Sequence, residues 1–512
     1  MKNSKLLIIV FTLLASSCSP SPAKQVDNRL TLAKLGEVSF HTELQQLYID
    51  DEDVENVPSQ ANGLTELSIP DPIKLTRESS EEIENYVVKI SESEKFKTYD
   101  EYEVSGKEEL ELYNLKVGTK YYWTVQEKDN ELTSSVATFR TSDDGIRNLY
   151  IDKVTNSRDI GGKHTKTGGI VKQGNIFRTA NADNISQKGI EQFKELGVKT
   201  EIDLRDSNSR KVSPLGQDIN YFAYQMYYND YSNYLERNCE AVRRTIQEFA
   251  YEENYPIFYH CRIGTDRTGI ITYLLLGLFG VDEKDIYRDY LFSNFGVIED
   301  VRTLHGSGVN NVQLYYEAIN AFPGSTLQEH VYNFLLSIGV SSFDLDEIIR
   351  INVSEKEKIK VLENKRALFV NGSKFNHSEG LTSNIYNGLT YYPLSEKLNQ
   401  FVSIDIESSK ACDADIYVYL YSNNLTFKAS SAYSLKLNET ELEVSNKTFE
   451  DLHCRSTAGI YVAAKFAEAK LPQGNSKITL TNISSTENST GKGGNIAGII
   501  VIPKTESNLK TN

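Results

Sequence analysis

The sequence predicts a multidomain chain in which an α/β domain, a central sheet flanked by helices, lies between two all-β modules. Three observations carry that prediction. Residues 254–259 (Asn-Tyr-Pro-Ile-Phe-Tyr) form a short apolar and aromatic run, and a glycine-containing loop connects it to the apolar stretch Ile270–Gly280, which has helical length. On either side, Tyr86–Ile90, Lys120–Val125, Phe401–Ile406, Asp415–Tyr421 and Lys477–Thr481 alternate as strands do. At 512 residues the length fits three or four domains of about 150 residues each.

The elements follow in chain order. Lys2 and Lys5 precede the apolar run Leu6–Leu14, and Ala15-Ser16-Ser17-Cys18 come next. A charged start, a short hydrophobic run and small residues read as a secretory signal over 1–18, too short to span a membrane. The cysteine directly after the small residues, with Ser19-Pro20-Ser21-Pro22 behind it, resembles a bacterial lipoprotein signal. That resemblance implies a lipid on Cys18 and a flexible leader or linker over 19–57. It also implies a lipid-anchored place in the bacterial cell envelope, periplasmic or at the cell surface. Residues 58–142 then read as a small β domain closed by Ala137–Thr141, with Trp123, the only tryptophan, in its core. The run Leu115-x-x-Gly118-Thr119-x-Tyr121-x-Trp123 resembles a fibronectin type III motif.

The central domain, 147–357, is built around His260-Cys261-Arg262-Ile263-Gly264-Thr265-Asp266-Arg267-Thr268-Gly269. A cysteine and an arginine six positions apart, with glycine between them, can wrap a tight loop around one phosphate group. Strand, loop and helix N-terminus present backbone N–H groups and a positive dipole end to an anion. A free thiol has a pKa near ~8.5, and a helix N-terminus beside a cation lowers it, so Cys261 is poised to attack phosphorus as a thiolate. Arg267 is the planar clamp for the equatorial oxygens, a task lysine performs poorly. Arg262, Ile263, Gly264, Thr265 and Thr268 complete the phosphate-binding loop, and the Thr268 hydroxyl is placed to serve the sulfur when the phosphoenzyme breaks down. His260 shapes the loop and tunes the thiolate. The leaving oxygen needs a proton, and Asp266, inside the loop, is the first choice of acid.

This decapeptide resembles the phosphate loop of cysteine-based protein-tyrosine phosphatases, in the bacterial branch that reads His-Cys-x-x-Gly-Lys-Asp-Arg-Thr-Gly. Further motifs follow the same order. Asn156-Ser157-Arg158-Asp159-Ile160-Gly161-Gly162 is similar to the branch's Asn-Phe-Arg-Asp-Leu-Gly-Gly. Ile176-Phe177-Arg178-Thr179, Leu196-Gly197-Val198, Ile202-Asp203-Leu204-Arg205 and Asp289-Tyr290-Leu291-Phe292-Ser293-Asn294 are the others. The resemblance implies phosphomonoester hydrolysis without metal or cofactor, with Cys261 as nucleophile, Arg267 as phosphate binder and Asp266 as the loop-embedded acid. Asp230 lies upstream of Cys261 at a spacing similar to that of the mobile-loop aspartate in other tyrosine phosphatases. Asp203 is the third candidate acid, or else an orienter paired with an arginine.

One departure bears on substrate. The branch usually carries lysine where this chain has Thr265, and that lysine goes with highly charged phosphoinositides. The expected substrate is therefore a phosphotyrosine, or a phosphoserine or phosphothreonine, in a protein or peptide. Inositol phosphates or phosphorylated sugars are the second enzyme reading. A reading of another class is an envelope protein whose loop only captures a phosphorylated ligand.

Beyond a Lys/Glu-rich, helical connector, Ser354–Arg366, residues 367–505 read as a C-terminal β-sandwich. Its layout resembles carbohydrate-binding sandwiches, so glycan contact stands beside protein contact as its task. Cys412 and Cys454 share this domain of an exported chain, which leaves both a disulfide between them and two separate thiols open, while Cys239 reads as a small buried hydrophobe. With 71 acidic against 55 basic residues, the net charge of −16 argues against nucleic acid as a partner and against attraction to anionic lipid. The seven histidines show no ligand spacing, which leaves no metal site to expect.

Overall fold

Residues 29–511 are described in the computed structural model, apart from 81–83, 129–132, 144, 206–210, 228–233, 306–312, 321, 323, 341, 355–367, 387–388, 396, 423, 453, 455–460, 485–492, 506 and 508. They fall into two units, one running up to residue 51 and then over 69–150, the other comprising 52–68 and 151 onward.

The first unit is two packed sheets. Leu30–Leu32, Ile73–Ser79 and Glu109–Leu112 form one, in that order. Gly36–Val38, Ala137–Thr141, Lys120–Glu127, Asn85–Ser91 and Asp100–Ser105 form the other. The alternation read from the sequence sets the core: Val88 and Ile90 face inward, opposite Val125 and Trp123 on the neighbouring strand. At the turn before that strand, Gly118 adopts φ +60°, and the Lys116 N–H donates to the Tyr121 hydroxyl at 2.9 Å.

The leader expected over 19–57 is structured from Leu30 onward. Two three-residue strands and the helix Glu43–Asp50 occupy it, the helix opened by a capping box between Thr42 and Gln45. Strands this short carry too few residues to show a period. The Thr-x-x-Gln capping box was the available signal. Residues 52–68 belong to the other unit, so no domain boundary falls at 58.

In the second unit the strands Asn220–Ala223, Thr200–Asp203, Ile257–His260 and Ile176–Thr179 lie side by side and parallel. Arg158–Asp159 continues the sheet antiparallel to the last of these. Every residue of the three inner strands Thr200–Asp203, Ile257–His260 and Ile176–Thr179 is buried, as expected for a parallel sheet covered on both faces. The helix Asp266–Leu278 is likewise buried all round, which is why its sequence shows no polar face. Gly277 lets it close on the helix Leu327–Ser337: a Cβ there would lie 2.8 Å from Val331.

The C-terminal region forms two further sheets around one core. In the first, Asn384–Tyr386, Leu389–Pro393, Asn495–Pro503, Cys412–Tyr421 and Val462–Leu471 follow one another, with Leu368–Asn371 on Asn495–Pro503. In the second the order is Asn376–His377, Phe401–Ser408, Gly474–Asn482, Tyr433–Leu437 and Thr440–Leu442. Leu509–Thr511 pairs with Phe401–Ser408, carrying the sandwich past residue 505. Cys412 and Cys454 are both buried in this core and are not joined as a disulfide. Each is accommodated there as a small apolar side chain. Among the described residues no helix is long and apolar enough to cross a membrane.

Candidate active site

The decapeptide loop starts where the strand Ile257–His260 ends and finishes in the first turn of the helix Asp266–Leu278. Its tight path depends on Gly264, at φ +72°, where a Cβ would lie 2.4 Å from the Thr179 carbonyl oxygen. Thr265 is the helix N-cap yet makes no side-chain bond to the first turn. Its hydroxyl is taken instead by Asn156, whose Nδ2 donates to it at 3.2 Å and to the Ile263 carbonyl at 3.0 Å. The helix end is thereby left as an anion-binding terminus.

Cys261 lies at that terminus and is only 2% exposed. Burial pushes its thiol up, but the Arg267 guanidinium and the hydroxyl and N–H of Thr268 pull harder, and the net value falls below the ordinary one despite the nearby Asp266 carboxylate. Arg267 is buried and aimed by two carbonyls: Nη1 donates to Met226 at 3.2 Å and to Leu204 at 3.5 Å.

Behind the nucleophile, His260 is fully buried between two acceptors. Nε2 is 2.8 Å from Glu201 Oε1, and Nδ1 is 2.9 Å from the Cys261 carbonyl. Burial lowers its pKa, yet Glu201 and Asp203 more than offset this, so it is raised. The Cys261 carbonyl can only accept, so Nδ1 donates to it, and the Glu201 carboxylate beside Nε2 favours the protonated ring. Glu201, Asp203 and His260 also have the spacing of a metal-ligand cluster. The Asp203 side of that cluster is already taken by Arg205, which donates Nε to Asp203 Oδ1 at 2.9 Å and Nη2 to Oδ2 at 2.7 Å, and Tyr221 donates to the same carboxylate at 3.0 Å.

The sequence motifs meet around the loop. Arg178 donates to the Gly264 carbonyl at 2.8 Å and to Asp289 at 2.6 Å. Arg158 reaches Asn156, Ser293 and Asp289, and Lys163 lies 3.2 Å from the other Asp289 oxygen. All of these side chains are buried. Burial and the neighbouring Arg178 push Arg158 down to about 10. Burial pushes the Asp289 carboxyl up, but Arg158, Lys163 and Arg178 overcome it and hold it well below the usual carboxylate range.

Cys261, Arg267, Asp266 and Thr268 are thus brought together, with Arg262, Ile263, Gly264 and Thr265 completing the loop. The three candidate acids differ. Asp266 is gripped by Arg302, Nε to Oδ1 at 3.0 Å and Nη2 to Oδ2 at 3.2 Å, and accepts from Tyr290 at 3.3 Å. Burial raises the Asp203 carboxyl, but Arg205 and His260 hold it well below the usual range, the orienter arrangement. Asp230, like Cys18, lies outside the described residues. Sequence reasoning did not find Glu201, Arg302 or Glu299, which pairs with Arg262. For Glu201 a signal existed: it stands two residues before Asp203 in a strand and so shares its face. Arg302 had none.

Comparison with known proteins bears on this region. Residues 149–331 match the family described as Tyrosine phosphatase family. A protein of Cupriavidus necator that carries the name tyrosine-protein phosphatase is 26% identical over 180 residues, covering 29% of this chain and 64% of its own length. A tyrosine-protein phosphatase of Nostoc commune is 29% identical over 161 residues, covering 26% of this chain and 54% of its own length. The chain therefore spans less than two thirds of either relative. Among solved structures, the core catalytic domain of a PP-IP phosphatase from S. cerevisiae shows 16% identity across 29% of this chain and 90% of that one, with a TM-score of 0.21. A family 35 carbohydrate-binding module from Clostridium thermocellum shows 14% identity across 26% of this chain and 96% of that one, also with a TM-score of 0.21.

Proposed function

We propose that the segment matched by the tyrosine phosphatase family hydrolyses phosphomonoesters through a phosphocysteine at Cys261, with phosphorylated proteins or peptides as substrates. The observation that carries this reading is the Cys261 thiol, buried yet held below its ordinary value by Arg267 and Thr268 at a helix N-terminus. The thiolate gives its electron pair to phosphorus as the ester P–O bond breaks, and the leaving oxygen takes a proton. Arg267 holds the equatorial oxygens through both steps. Water then attacks phosphorus and gives a proton to the carboxylate that supplied the first one, the S–P bond breaks, and the sulfur leaves as a thiolate stabilised by the Thr268 hydroxyl.

Asp203, held well below the usual carboxylate range by Arg205 and His260, is the least suited of the three candidates to supply that proton. The donor is Asp266, once released from Arg302, or Asp230. Asparagine at the true donor slows an alkyl phosphate about 10²-fold more than p-nitrophenyl phosphate, whose leaving group needs no acid.

Turnover of p-nitrophenyl phosphate tests the whole reading. Cys261→Ser is expected to abolish it and Arg267→Lys to lower kcat about 10²–10³-fold. Vanadate is expected to inhibit, and chelator to have no effect. Chelator-sensitive turnover that survives Cys261→Ser overturns the mechanism.

The compartment and modules belong to the same proposal. Lys2, Lys5, the apolar run to Leu14 and Cys18 support export and lipid attachment; loss of acyl labelling in Cys18→Ala tests it. The first unit's three-plus-five strand arrangement and the Tyr121 bond to the Lys116 backbone support the fibronectin type III reading.

A further inference from the structure

The rim of the loop carries an ion pair that the catalytic reading does not use. Arg262, the residue after the nucleophile, is 58% exposed, and its Nη1 donates to Glu299 Oε1 at 2.7 Å while Nη2 donates to Oε2. An exposed pair of this kind adds little to stability. Glu299 is nevertheless a built position. It adopts φ +75°, a left-handed conformation that a non-glycine residue holds only where its surroundings impose it. Its N–H and that of Ile298 both donate to the Gly63 carbonyl, at 2.9 and 2.8 Å. A Cβ on Gly63 would lie 2.9 Å from the Asp300 carbonyl, so only glycine permits that approach. On the far side Arg302 Nη1 donates to Asp300, and the same guanidinium grips Asp266 inside the loop. On the other side of the loop, the Arg262 carbonyl accepts from the backbone N–H and Nδ2 of Asn181, at 3.1 and 2.7 Å. Both ends of the pair are therefore held by the loop's own supports.

The geometry points to Glu299 as a specificity residue that selects against substrates bearing a second anionic group next to the scissile phosphate. This rests on the phosphatase reading and adds a substrate class to it. A phosphate in the loop brings its neighbouring groups up to the rim. There the exposed cation beside the nucleophile already has a carboxylate on both outer nitrogens. A second phosphate or acidic side chain meets a satisfied guanidinium and a like charge. Arg205 is compensated in the same way, by Asp183 and Asp203 together. Phosphorylated side chains with neutral or basic neighbours face no such repulsion.

The test uses the full chain and compares two phosphotyrosine peptides, one flanked by glutamates and one by lysines, with p-nitrophenyl phosphate as reference. Glu299→Gln is expected to leave p-nitrophenyl phosphate turnover unchanged. It should raise kcat/KM on the acidic peptide about tenfold relative to the basic one. The gain should shrink as salt is added. Adding Arg262→Gln should return the acidic-to-basic ratio to its starting value. An unchanged ratio in Glu299→Gln, or a gain that survives loss of Arg262, overturns the inference while leaving the phosphatase reading intact. Failure of the unaltered chain to turn over even p-nitrophenyl phosphate overturns that reading, and this inference falls with it.

Discussion

Glu201 stands in a strand with no exposed residue, a place where a lone carboxylate is costly. His260, 2.8 Å away, makes it tolerable, and the same ring holds the Cys261 carbonyl. Glu201→Gln removes one of the carboxylates that raise the His260 pKa. Because the His260 pKa is raised in the folded chain, its contribution to stability is complete below the ordinary histidine range near ~6.5. That contribution fades as pH rises through the folded value. The variant's stability deficit should therefore be largest in mild acid and narrow at higher pH in urea titrations. Because His260 also holds the Cys261 carbonyl, the substitution should move the midpoint of Cys261 alkylation by iodoacetamide to higher pH. A deficit that is constant with pH, or an unmoved midpoint, contradicts the assignment.

At the level of elements, the antiparallel pairing of Arg158–Asp159 with Ile176–Thr179 sets Arg158 directly opposite Arg178. Like charges across a ladder repel. Asp289, from the helix Glu283–Leu291, answers both and Lys163 as well, which ties two strands and a helix to the loop they support. Asp289→Asn leaves buried cations uncompensated and is expected to cost about 3–5 kcal/mol in urea unfolding. The native Asp289 value is depressed, so this contribution is present above the ordinary carboxylate range near ~3.9. It disappears as pH falls through the folded value.

These motifs were legible because each is local: a cysteine, a glycine and an arginine within ten residues define one loop. What joins them was not, since Arg302 reaches Asp266 and Asn156 reaches Thr265 only through the fold. The strands Leu30–Leu32 and Gly36–Val38 escaped notice for a different reason. Three residues make one and a half alternations, and their place is decided by partners more than forty residues away, Ile73–Ser79 and Ala137–Thr141.

Across the whole molecule, stability rests on burial and pairing rather than on covalent bridges among the described residues. Cys239, Cys261, Cys412 and Cys454 are all buried, and none is in a disulfide. Reductant should leave the melting temperature unchanged. These four thiols should react with a thiol reagent once the chain is unfolded, and few of them before. A fall in melting temperature with reductant would show that Cys412 and Cys454 are bonded after all.

The chain leaves the first unit at residue 52, contributes Gly63 and Leu67 to the segment around Asn294–Glu299, and returns at residue 69. During synthesis the first unit is complete at residue 150, long before Asn294 exists. Residues 52–68 must therefore wait as an unplaced loop inside a finished sandwich, and such a loop adds little entropic cost. The arrangement also means that the N-terminal module cannot be exchanged as a cassette. Any graft that replaces it must keep those residues, or the rim that holds Glu299 loses its support.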